Sequence, residues 1–159
     1  MNPELNKSTE MSGIGWELEH SVEAEVSRAF AWAFWTDVTN WDDPPAQFIL
    51  DGPFAAGSQG RTVFPGQEPV LWTIRQVRAP ESYILEMHLD GATLSFEWRF
   101  DAISSRKTRL TQRIVLSGDN VAAHATAVEA GFGPTLAEGM KRIAGLLARA
   151  QARSVSEAR

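Results

Sequence analysis

The chain has 159 residues, 43% apolar and 22% charged, which is the composition of one ordinary globular domain able to bury close to ~70% of its unfolded surface. A formal net charge of −5 argues against a general attraction to phosphate backbones, so nucleic acid is not an expected partner. The absence of cysteine excludes a disulfide framework, a thiolate nucleophile and cysteine-based zinc or iron–sulfur sites.

Residues 1 to 13 are polar and read as a disordered leader; they hold no apolar run suited to export. No stretch approaches the roughly eighteen apolar residues of a membrane span, and the expected location is the cytoplasm. From Trp16 the pattern alternates. Trp16, Leu18, His20, Val22, Ala24 and Val26 share one face, and Glu17, Glu19, Ser21, Glu23 and Glu25 share the other, which predicts a strand with one dry and one acidic face. Ser27 can cap a short helix to about Asp37, apolar around most of its circumference through Phe30, Ala31, Phe34 and Trp35. Thr39 to Pro45 then combine a possible helical turn with a Pro-Pro stop.

Turn signals now recur at short intervals, and strands are expected at 47–51, 58–64, 70–78, 82–89, 92–103 and 107–117. Pro65-Gly66, Ala79-Pro80, Asp90-Gly91 and Ser104-Ser105 separate them, with Asp90-Gly91 the sharpest hairpin signal, so neighbours in sequence should pair. Alternation puts Leu94, Phe96, Trp98 and Phe100 on one face, joined by Tyr83, Leu85, Met87 and Leu89 and by Leu110, Gln112, Ile114 and Leu116. Trp72 and Ile74 fit the same face, but Val77 is out of phase and predicts a bulge. After a helix-compatible 121–130, Gly131 to Pro134 predict a kink and a possible ligand gate. A long helix is expected from Pro134 to about Ala152, with Phe132, Leu136, Met140, Ile143 and Leu147 on its apolar side. Glu138, Lys141, Arg142, Arg149 and Arg153 fall on its wet side, and 154–159 read as a polar tail.

Several of these residues, taken in order, resemble the START-like helix-grip superfamily, also called SRPBCC, and its polyketide cyclase/dehydrase-like branch. They are Ala31 to Asp37 followed by Trp41, Gly57 with Gly60, Trp72-Thr73-Ile74 leading to Ala79-Pro80, Thr108 with Leu110 to Gln112, and the helix from Met140 to Leu147. The resemblance covers about 16–152. It implies an α+β fold in which a curved antiparallel sheet of about seven strands wraps a long C-terminal helix, with two short helices after the first strand. Residues 14–153 would form a single ligand-binding domain of this kind. The resemblance also implies an apolar cavity for lipids, polyketides or other hydrophobic molecules; it supplies no shared catalytic signature.

The site therefore has to be argued from the chain. His20, on the dry face between Leu18 and Val22, can act as a general base or a ligand hydrogen-bond donor, or can be a satisfied core histidine. Tyr83 and Gln112 can orient an otherwise apolar ligand, or can reach water and a helix end instead. Trp41, Trp72, Trp98, Phe132 and Met140, with Leu110 and Leu136, are candidate cavity walls, against the alternative of plain core packing. Asp42 and Asp43 lack companion histidines and read as solvated, so neither a metal nor another cofactor is expected.

The expected function is binding of a hydrophobic, ring-containing small molecule by a monomer or homodimer. One rival is a cyclase or dehydratase in which His20 moves a proton. Another is a protein-interaction domain of the heat-shock ATPase activator type, presenting Trp32 and the acidic stripe of Glu17, Glu19, Glu23 and Glu25.

Overall fold

The computed structural model describes residues 14–41, 43 and 45–157; the leader at 1–13 and Asp42 lie outside them. β1 (Ile14–Ala24) is followed by α1 (Arg28–Trp35) and a single 3-10 turn (Val38–Asn40). The meander comprises β2 (Gln47–Asp51), β3 (Gln59–Val63), β4 (Val70–Arg78), β5 (Ser82–Leu89), β6 (Ala92–Ser104) and β7 (Lys107–Ser117). Two helices close the chain, α2 (Val121–Phe132) and α3 (Leu136–Glu157). The strands form one curved antiparallel sheet in the order β1-β7-β6-β5-β4-β3-β2. Each hairpin pairs neighbours, and β1 returns to the far edge beside β7.

Local chemistry accounts for the elements. The Ser27 hydroxyl accepts from Phe30 N–H at 3.1 Å and satisfies a donor that the first turn of α1 leaves open. Gly91 holds φ +74 in the tight turn from β5 to β6, where a side chain would be strained. The register between β4 and β5 shifts between Ile74 and Gln76, which is the bulge that Val77 predicts. Thr108 is fully buried and donates to the Val26 carbonyl at 2.9 Å, tying β7 to the chain as it leaves β1.

Along α3, Leu136, Met140, Ala144, Leu147 and Ala150 are buried at helical spacing, and the helix packs on β1 and α1. Met140 and Leu147 are 1% and 0% exposed, and sequestering each contributes about 1.5–3 kcal/mol. The helix begins at Leu136 rather than Pro134, because Thr135 supplies the carbonyl that receives Gly139 N–H at 2.9 Å. It continues to Glu157, so the expected tail is helical over 154–157; no Gly or Pro after Gly145 stops it.

The acidic face of β1 is answered by β7. Arg113 donates to Glu17 at 2.8 Å, Lys107 lies 3.4 Å from Glu25 and 3.8 Å from Glu23, and Arg109 lies 3.7 Å from Glu23. The Arg113 hydrogen bond draws the Glu17 carboxyl below its ordinary range. Trp32, expected on an exposed surface, is half-buried and packs edge-on to Phe100 and Tyr83 at centroid distances of 5.3 and 6.1 Å.

Candidate ligand cavity

α3 lies on β1 and α1, and α1 in turn packs on β6 and β7, so the inner face of β3 to β5 has no closely packed helix above it among the described residues. The space left there is a cavity of about 570 Å³. Its floor comes from the strands: Phe48 of β2, Thr62 of β3 with Phe64 just beyond it, Val70 and Trp72 of β4, and Tyr83, Leu85 and Met87 of β5. Phe96 and Trp98 of β6 and Gln112 of β7 continue it. Trp35, Trp41, Asp43 and Ala46 close one side, and Phe132 with Arg142, Ile143, Leu146 and Arg149 of α3 close the other.

Strand register explains how distant residues meet. Tyr83 pairs with Trp98, Trp98 with Gln112 and Gln112 with His20, so the four form one row across β5, β6, β7 and β1. Trp35, Trp41 and Trp72 stand in series, with centroids 5.8 and 5.7 Å apart, and Trp35 approaches Trp98 at 5.6 Å. Trp41 donates to the Trp35 carbonyl at 2.8 Å and Trp72 to the Thr62 hydroxyl at 3.1 Å, which holds both rings in orientation. Trp72 lies directly over Gly60, its cross-strand partner, where a Cβ would collide with the indole. Only a glycine leaves that ring flat against the sheet.

Of the residues singled out from sequence, Trp41, Trp72, Tyr83, Trp98, Gln112 and Phe132 line the cavity. His20, Leu110, Leu136 and Met140 do not. His20 closes the row on β1, the strand that α3 covers, and is half-buried there. Leu110, Leu136 and Met140 sit in the packed core at 0%, 8% and 1% exposure, because alternation on β7 and the helical stripe on α3 select an inward face without saying which part of it is filled. The helix reading also changes: Arg142 and Arg149 are exposed, as expected, yet both line the cavity, which puts them at its opening. Trp35 belongs to a helix read as apolar around most of its circumference, and Ile143 to the apolar stripe, so both carried a sequence signal; Thr62 and Leu146 carried none. The possible gate at 131–134 contributes Phe132, whose ring meets Phe96 edge-on at 5.5 Å.

One polar group on this wall is short of a partner. The Trp35 indole N–H is a buried donor with no hydrogen-bond partner among the described residues. Burial pushes the Tyr83 hydroxyl well above its ordinary 10.0, and the nearby Trp35 N–H counters part of that rise without meeting it as a hydrogen bond. Tyr83 therefore stays a neutral phenol, able to donate its proton in a hydrogen bond. The sign of the consequence follows from linkage. Above about pH 10 the unfolded tyrosine ionises while the native one keeps its proton, so native Tyr83 contributes stability that falls as pH rises. The stability of the parent protein relative to Tyr83→Phe is expected to be constant below that pH and to fall above it in denaturant titrations; a flat difference would show that Tyr83 is not shielded.

This sheet, closed round a C-terminal helix, is the START-like helix-grip fold that the sequence resemblance implies. No family model matches the chain, and no curated protein matches its sequence. Solved structures do share the fold. Norcoclaurine synthase from Thalictrum flavum, in complex with dopamine and hydroxybenzaldehyde, superimposes with a TM-score of 0.66 at 15% identity, over 87% of this chain and 90% of that one. The Zhui aromatase/cyclase from Streptomyces sp. R1128 gives 0.66 at 17% identity, over 84% and 94%. Protein NE0264 from Nitrosomonas europaea gives 0.64 at 17%, over 86% and 96%. At these identities the likeness is one of fold. No described helix is long and apolar enough to cross a membrane.

Proposed function

We propose that this protein binds a hydrophobic, ring-containing small molecule, lipid- or polyketide-like, in the cavity between its sheet and α3. The observation that carries the reading is the cavity itself, about 570 Å³ and walled by Trp35, Trp41, Trp72 and Trp98. That volume falls within the few hundred to about 1,000 Å³ of small-molecule sites, and indole faces offer flat apolar area to a ring system. Tyr83 and Gln112 supply the few polar groups that fix orientation. The norcoclaurine synthase complex, which holds two small aromatic molecules in the same fold, supports a ring-containing ligand. We read the protein as a cytoplasmic binding or carrier protein, a monomer or homodimer, acting without metal or other cofactor.

The cyclase or dehydratase alternative is less favoured, since His20, its proposed base, is not among the residues that line the cavity. The interaction-domain alternative loses support as well: Glu17, Glu23 and Glu25 of its acidic stripe pair with β7, and Trp32 packs inward. Native mass spectrometry of freshly purified protein, with denaturing extraction of any passenger, tests the binding reading. The expected result is a stoichiometric hydrophobic molecule. A bare chain that also fails to bind a neutral tricyclic probe, anthracenemethanol, would overturn it.

A further inference from the structure

An apolar cavity selects for size and flatness, and its charged residues select for chemistry. Arg142, Ile143, Leu146 and Arg149 form one line on the cavity face of α3, so two guanidinium groups bracket two apolar side chains at the opening. Their Cα atoms are about 10.5 Å apart along the helix axis, at 1.5 Å per residue. The side chains narrow that separation. Arg149 lies back along the helix, with Nη1 3.2 Å from the point where a Cβ on residue 145 would stand, so Gly145 makes room for it one turn nearer to Arg142. Neither arginine forms an ion pair with the described residues, and Asp43 is the acidic residue among those that line the cavity. Elsewhere Arg61, Arg75, Arg109 and Arg113 each meet a carboxylate.

We infer that the ligand of this cavity carries a carboxylate, held at the opening by Arg142 and Arg149 while its rings lie on the indole-lined floor. This rests on the binding reading above and specifies its chemical class: an amphipathic aromatic acid rather than a neutral lipid. A guanidinium presents paired N–H donors that match a carboxylate in its plane, and the apolar residues between the two arginines favour an anion that is part of a hydrophobic molecule. Inorganic anions gain nothing from Ile143 and Leu146.

A ring-matched probe pair tests the inference on the full chain: anthracenecarboxylate and anthracenemethanol, titrated by probe fluorescence at neutral pH. The parent protein is expected to bind the acid about tenfold more tightly than the alcohol, and the preference should shrink as salt is added. R142Q/R149Q should abolish the preference, bringing the acid down to the affinity of the alcohol. Arg153→Gln, exposed on the same helix and not a cavity residue, should leave the preference intact. Equal binding of the two probes by the parent, or a preference that survives R142Q/R149Q or is lost equally in Arg153→Gln, overturns the carboxylate inference while the cavity reading stands. Failure of both probes to bind overturns both.

Discussion

Replacing Phe100 with Ala is expected to lower the stability of the fold by about 3–5 kcal/mol, seen as an earlier midpoint in denaturant with little change in slope. Phe100 is fully buried on β6, with ring centroids 5.3 Å from Trp32 and 6.3 Å from both Tyr83 and Trp98. These partners cannot move in to refill the space. Trp32 belongs to α1, Tyr83 is held by the β5 and β6 register and touches Phe54 at 4.9 Å, and Trp98 is fixed between Tyr83 and Gln112 across the sheet. A deletion among rigid rings leaves a void instead of collapsing, and the void adds to the lost transfer free energy. Phe100 does not line the ligand cavity, so probe affinity should survive at temperatures where the variant is folded. A loss below about 1.5 kcal/mol would show that the aromatic layer relaxes more freely than its packing implies.

Ile143→Trp should have the opposite profile, with stability nearly retained and binding of anthracenemethanol weakened at least tenfold. Ile143 lies on the cavity side of α3 and is half-buried, at the edge of the packed core with one side on the cavity. Added bulk therefore enters the cavity, where it avoids the cost of overpacking a filled core and occupies the space a ring would take. Helix propensity is nearly the same for the two residues, so the backbone has no reason to respond. Leu71→Trp is the control, since Leu71 is 70% exposed and outside the cavity. Unchanged affinity in Ile143→Trp, measured beside an unchanged Leu71→Trp, would remove the cavity as the binding site.

Much of the architecture was legible because its signals are local. Strict alternation from Trp16 to Val26 needs only the pleat of a strand, and Asp90-Gly91 needs only the left-handed residue of a tight turn. Even the bulge in β4 appeared as a phase error at Val77. The helix ends were less legible, since Pro134 permits a start that Thr135 and Leu136 take up instead, and nothing after Gly145 signals a stop.

The cavity was legible only in part. Alternation identified the inner face of every strand, and from that face come Trp72, Tyr83, Trp98 and Gln112. It could not separate the covered part of that face, where His20 and Leu110 lie, from the part left open. The two arginines show the same boundary. On the helix alone they belong with Glu138 and Lys141 in water, and they become part of the cavity only because α3 rests on β1 and turns one flank of its polar face over the opening.

The sequence by itself determined the order of elements, the inward face of each strand and the absence of any cysteine chemistry, because each depends on residue type and on spacing along the chain. The tertiary structure alone decided where the helix lies across the sheet. That placement depends on many contacts between residues far apart in the chain, and it is what separates a filled core from a space that can hold a ligand.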